Sequence, residues 1–152
     1  MSAVACDDLA MNQDDRAHQD WPAAGEGGDD DREAAYGLLQ RGQALSAKRH
    51  YAQAAVILER ADRLEPRKGS ILEPLGRAYF MSRQWTAAAA TFERLLEVDP
   101  SAHYAQYALG QTLKHLGKLP SARLHLRLAM ALSPGTRLYR DAYGRLPPGP
   151  GE

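Results

Sequence analysis

Pro66, Pro100 and Pro134 stand 34 residues apart, and no other feature constrains this chain as much. The same interval separates Gly42, Gly76 and Gly110, and again Ala54, Ala88 and Ala122. Residue types that restrict packing or backbone geometry thus recur in one phase. A unit this short cannot bury its apolar face alone, so a repeat of this length implies units stacked on one another. Stacking buries a continuous core and leaves an extended inner surface open. The function class that such a surface suits is binding.

Each period holds two runs with helical spacing of apolar residues. The spacing predicts helix pairs at 33–47 and 52–64, at 71–82 and 86–98, and at 102–116 and 121–132. The links Lys48-Arg49-His50 and Arg83-Gln84 are too short for anything but antiparallel neighbours. Each second helix ends before its proline, which cannot continue it. Ser70-Ile71-Leu72-Glu73 reads as a capping box opening the second unit. Pro74 falls in the first turns of that helix and removes one backbone donor, whereas Pro120 falls at a helix start, where a missing N–H is tolerated. The register continues past Pro134, because Gly144 again follows Gly110 by 34 residues. Residues 137–146 are therefore expected to form one capping helix. Arg137, Arg140, Asp141 and Arg145 would supply its polar outer face, and Leu138, Tyr139 and Tyr143 would pack inward. The expected fold is all-α: an α-solenoid of antiparallel pairs at 35–68, 69–102 and 103–136 with a terminal half-unit, followed by a Pro/Gly-rich tail at 147–152.

The formal net charge is zero, but the charges are divided. Residues 1–33 carry ten acids against Arg16 and Arg32, a balance of −8, and the remainder carries nine acids and seventeen bases, a balance of +8. With Pro22, Gly25, Gly27 and Gly28 and no sustained apolar period, residues 1–32 are expected to be a disordered acidic arm. Asp29-Asp30-Asp31 would then precede the first helix and favour its positive end. The start of the chain lacks the basic and apolar regions of an export signal. No segment approaches the roughly 18 apolar residues of a membrane span. Cys6 is the single cysteine, which permits no internal disulfide and points to a reducing, cytoplasmic setting.

The register resembles that of the tetratricopeptide repeat family. Unit one reads Leu38, Arg41-Gly42, Leu45, Ala54, Leu58, Ala61, Pro66. Unit two reads Leu72, Leu75-Gly76, Tyr79, Ala88, Phe92, Leu95, Pro100, and unit three reads Gln106, Leu109-Gly110, Leu113, Ala122, Leu126, Ala129, Pro134. Gln106 departs from the pattern, since a large apolar residue is usual there. The small residues mark where the two helices of a pair approach most closely. The resemblance implies that the first helix of each pair lines a concave groove. By register the groove residues are Tyr36, Leu39, Gln43, Ser70, Glu73, Arg77, Phe80, Tyr104, Tyr107, Gln111 and Lys114. Aromatic residues would supply contact area, and Arg77 and Lys114 would orient a carboxylate. One branch of the family grips chaperone C-termini with charged residues. The matching positions here are Leu39, Gln43, Pro74, Tyr104 and Ala108, and none carries the needed charge.

The expected function is that of a non-catalytic adaptor or scaffold whose groove takes a peptide segment of a protein partner. Three alternatives remain open: a secretion or assembly chaperone, a binding module regulated by its own acidic arm, and nucleic-acid binding by the basic body. The last would need a continuous stripe of cations, and the arginines are scattered over helix ends. No cofactor, metal, membrane or catalytic role is expected. The five histidines include no pair three or four residues apart, and there is neither a Gly-rich phosphate loop nor a nucleophile elbow. Oligomeric state and the partner's identity are not readable from the residues.

Overall fold

The structure, a computed structural model, describes residues 24–151. The described residues form seven α-helices and no strand: α1 (Ala24–Ala47), α2 (Tyr51–Leu64), α3 (Gly69–Met81), α4 (Trp85–Val98), α5 (His103–His115), α6 (Leu119–Leu132) and α7 (Arg137–Gly144). Two compact units divide the chain, residues 1–34 and 35–152. In the first, most of the expected acidic arm lies outside the described residues. Its last part differs from expectation: α1 starts at Ala24, so Asp29, Asp30 and Asp31 lie within the helix and not before it. Arg32 bonds Asp29 one turn earlier, a pair that the helical spacing makes possible.

The second unit is the α-solenoid. Helices pair antiparallel as α1/α2, α3/α4 and α5/α6, and each pair packs on the next. Leu58, Phe92 and Leu126 stand 34 residues apart and are each fully buried. Full burial of such a side chain contributes about 2–3 kcal/mol. They seat on the glycines of the partner helices. A β-carbon on Gly42 would lie 2.5 Å from Leu58 Cγ, one on Gly76 2.7 Å from Phe92 Cε1, and one on Gly110 2.8 Å from Leu126 Cγ. The recurring glycine is therefore a steric requirement of the helix pair.

The turn inside each pair is the same structure three times. His50, Gln84 and Lys118 donate N–H bonds to the carbonyls of Leu45, Tyr79 and Leu113, at 2.8, 2.8 and 2.9 Å. Arg49, Arg83 and Gly117 donate to Ser46, Phe80 and Lys114, at 2.9, 3.0 and 3.0 Å. This double bonding is the Schellman cap, which needs a left-handed residue just past the helix. Arg49, Arg83 and Gly117 hold that conformation, with φ of 65°, 65° and 78°.

Local details depart from the sequence reading. The capping box at Ser70 does not form. Helix α3 begins at Gly69, and the carbonyl of Lys68 already accepts the N–H groups of Ile71 and Leu72, so Glu73 is left for other use. Pro74 sits within α3. Pro120 falls in the first turn of α6, where its missing N–H is harmless. In α7, Tyr139 is buried and Tyr143 packs beside the Leu126–Ala142–Leu146 cluster, but Leu138 is 49% exposed and does not pack inward. Its neighbour Tyr139 has the inward place and bonds His103 Nδ1 through its hydroxyl at 2.7 Å.

The joints between pairs differ in chemistry. Between the first two, Arg94 donates from Nη1 and Nη2 to Asp62 at 2.8 and 2.9 Å, and the Tyr79 hydroxyl donates to Glu59. Burial, then the Glu59 bond, holds that hydroxyl far above the ordinary tyrosine range. In the third pair Gln106 is buried, as the apolar Leu38 and Leu72 are at its register positions. Its Oε1 is bonded to His125 Nδ1 at 2.7 Å, which removes the cost of burying an amide there.

Candidate peptide-binding groove

The inner wall of the second unit encloses a cavity of about 880 Å³. Stacking in register makes this wall, because residues one turn apart on α1, α3 and α5 point the same way in each unit. Eight of the residues placed in the groove by register line it: Gln43 from α1, Ser70, Glu73, Arg77 and Phe80 from α3, and Tyr104, Tyr107 and Gln111 from α5. Three do not. Tyr36 is 61% exposed on the first helix of the stack, with its hydroxyl accepting from Gln40 at 3.0 Å. Leu39 packs instead between the two core clusters of the first pairs. Lys114 lies at the end of α5, beyond the cavity wall.

The sequence reading also missed part of the lining. Ser46, Ala47, Tyr51 and Met81 close the cavity at the turns inside the pairs, and Pro74, Ala78, Phe92 and Ala108 form its floor. Tyr51 opens a second helix, so a rule that assigns the wall to first helices passes it over. The 34-residue register repeats along one helix face, whereas the turns fold across that face.

One side of the groove is aromatic. Tyr107 stacks on Tyr139 at 5.1 Å between ring centroids, and Tyr104 lies 6.0 Å from Tyr107. The Arg77 guanidinium sits 5.9 Å from the centroid of Tyr104, within cation–π range. Burial raises the Tyr104 hydroxyl above its ordinary value, and the Arg77 charge opposes the rise. Burial likewise raises Tyr139. Both hydroxyls therefore stay protonated across the physiological range and can donate.

The polar groups of the groove are under-used. Gln111 Oε1 is buried and has no hydrogen-bond partner, the one such side-chain atom among the described residues. Its Nε2 reaches the Tyr107 hydroxyl only at 3.4 Å. Glu73 and Arg77 each lack an ion pair among the described residues. Pro74 has no N–H, so the carbonyl of Ser70, one turn back, loses its intrahelical donor. The groove thus offers one unsatisfied acceptor, one carboxylate and one guanidinium beside an aromatic wall. Among the described residues no cluster of three or more His, Cys, Asp or Glu is placed to hold a metal. No described helix is long and apolar enough to cross a membrane.

An α-solenoid of helix pairs with an open inner wall defines a class of repeat scaffold. Residues 73–135 match the family model of the tetratricopeptide repeat. That stretch carries tetratricopeptide repeats, the family that the 34-residue register resembles. Solved structures agree on the fold. The TPR domain of Arabidopsis OM64 superposes with a TM-score of 0.73 at 17% identity, over 76% of this chain and 95% of that one. The first TPR of Spaghetti (RPAP3), bound to the HSP90 peptide SRMEEVD, gives 0.71 at 17% identity, over 75% and 90%. SycD, a type III secretion translocator chaperone of Yersinia enterocolitica, gives 0.62 at 16% identity, over 74% and 84%. A search of curated proteins found no match to the sequence.

Proposed function

We propose that this protein is a non-catalytic interaction module whose groove holds a short segment of a protein partner. The observation that carries this reading is the buried, unpaired Oε1 of Gln111 on the wall of the cavity. An unpaired buried acceptor costs about 1–3 kcal/mol, and a partner's backbone N–H would recover it. Tyr104, Tyr107 and Phe80 supply the apolar contact that dominates binding energy, and Arg77 takes an acidic side chain. The positions used by chaperone-terminus clamps hold Gln43, Pro74, Tyr104 and Ala108 in this cavity. The preferred segment is therefore apolar with a single acidic contact.

The double variant Tyr107→Ala with Arg77→Ala tests this. It is expected to retain the helical circular-dichroism signal and to lose co-purifying partners, with affinity at least about tenfold weaker. Undiminished partner recovery would remove the groove from consideration. The likeness to SycD favours a second reading, a chaperone for a secreted protein. Co-expression with a panel of secreted proteins distinguishes the two: a chaperone raises the soluble yield of at least one of them, and an adaptor raises none.

A further inference from the structure

In the sequence, lysines and arginines are scattered over helix ends; the fold gathers one set of them. The turns inside the three pairs lie on a single edge of the solenoid. Tyr51 and Ala47 of the first turn share the cavity with Phe80 and Met81 at the second. Phe80 meets Trp85 and His115 edge-on at 5.1 and 5.5 Å, and Trp85 stacks on His115 of the third at 4.0 Å. This continuous edge carries Lys48, Arg49, Arg83, Lys114 and Lys118. The turn segments 44–54, 78–88 and 112–122 contain no Asp or Glu. None of the five cations forms an ion pair among the described residues. The imidazole of His115 is held below its ordinary value by burial, then by the charges of Lys114 and Arg83, as a positive field requires.

The opposite edge is arranged otherwise. There Lys68 pairs with Glu65 at 3.5 Å, Arg137 with Asp141 at 3.6 Å, and Asp99 binds the hydroxyl of Ser101 at 2.7 Å. Arg49 and Arg83 occupy the left-handed cap position that favours glycine, and the third turn does use Gly117 there. Arg67 shares that conformation on the other edge, but with the paired Lys68 beside it. Arg49 and Arg83 thus place cations at two turns where glycine would complete the cap equally well.

We propose that this edge binds an acidic stretch of the partner, lying beside the apolar segment that the groove holds. The inference rests on the groove reading for its partner, a protein, and on charge for its chemistry. The groove and the edge are continuous, because Ala47, Tyr51 and Met81 border both. Carboxylates spaced along an extended chain would meet cations from three successive turns. A single-stranded nucleic acid fits less well. Base stacking needs open aromatic faces, and the indole on this edge is already stacked on His115 and met edge-on by Phe80.

The test uses the full chain and fluorescein-labelled oligoglutamate, read by anisotropy. The edge variant combines Lys48→Ser, Arg49→Gly, Arg83→Gly and Lys118→Ser. Glycine relaxes the two left-handed positions, and serine is a good residue at the helix start that Lys118 occupies, so the unfolding temperature should not fall. Oligoglutamate is expected to bind the parent, to weaken steeply from about 50 mM to about 200 mM salt, and to bind the edge variant about tenfold less tightly. Tyr107→Ala should leave this binding intact, so a failed groove does not mask a sound edge. The proposal is overturned if oligoglutamate does not bind, or binds parent and edge variant equally. Loss of binding on Tyr107→Ala instead would assign the acidic probe to the groove. Tighter binding of an oligothymidylate of equal length would assign the edge to nucleic acid.

Discussion

Gly110 and Gly144 hold the same place in the 34-residue register and have opposite surroundings. A β-carbon on Gly110 would press on Leu126 Cγ at 2.8 Å and on the carbonyl oxygen of Ala122 at 3.2 Å, whereas one on Gly144 would meet nothing within 4 Å. Gly110 faces the second helix of its pair. No described helix packs across Gly144. The period therefore fixes where a residue stands, and the neighbouring helix decides what that position requires.

The sharpest way to break this comparison is to enlarge both glycines. Gly110→Val should destabilise the protein by about 3 kcal/mol in urea unfolding, because a backbone carbonyl cannot move aside as a flexible side chain does. If Gly110→Val were neutral, the close approach of α5 and α6 would be wrong. Gly144→Ala should be neutral or gain up to about 1 kcal/mol, since alanine is the better helix residue and nothing obstructs it.

The joints extend the contrast. Asp62 and Arg94 bind each other between the first two pairs, and the residues 34 further on are Leu96 and Leu128. Leucines at those positions cannot repeat the ion pair. Asp62→Ala should cost about 1 kcal/mol, given a bidentate but half-exposed pair. A double-mutant cycle with Arg94→Ala should recover most of that as coupling. A cycle with no coupling would reduce the pair to an incidental surface contact.

The smallest expected effect lies in the third pair. Burial lowers the His125 imidazole below its ordinary value of 6.5, and Glu93 opposes that shift. The unfolded imidazole then takes a proton first as pH falls. Stability is thus full above about pH 6.5 and declines as the pH drops through the lower folded value. His115 is shifted the same way and adds to the slope. The unfolding temperature should fall by a few degrees between about pH 7.5 and about pH 5.5, and His125→Gln should flatten part of that fall. A pH-independent parent would contradict the burial of the Gln106–His125 pair.

Much of the groove was legible because a strict register carries side-chain direction with it. Gln43, Ser70, Glu73, Arg77, Phe80, Tyr104, Tyr107 and Gln111, assigned to the inner wall by register from the family resemblance, line one cavity. Tyr36 does not, being exposed on the first helix of the stack, and Leu39 does not because it packs against both core clusters of the first pairs. Ser46, Tyr51 and Met81 were not foreseen, because they reach the cavity from turns that cross the helix faces.

The residues by themselves determined the period, the helix pairing and the glycine seats, since each follows from local chemistry repeated at 34. What the sequence left open was every contact between distant partners. Gln106 looks like a fault in the pattern until His125 is found beside it, and the cations at 48, 49, 83, 114 and 118 look scattered until the turns share an edge. Pairing of this kind depends on where separate helices come to rest, and a one-dimensional pattern does not hold that distance.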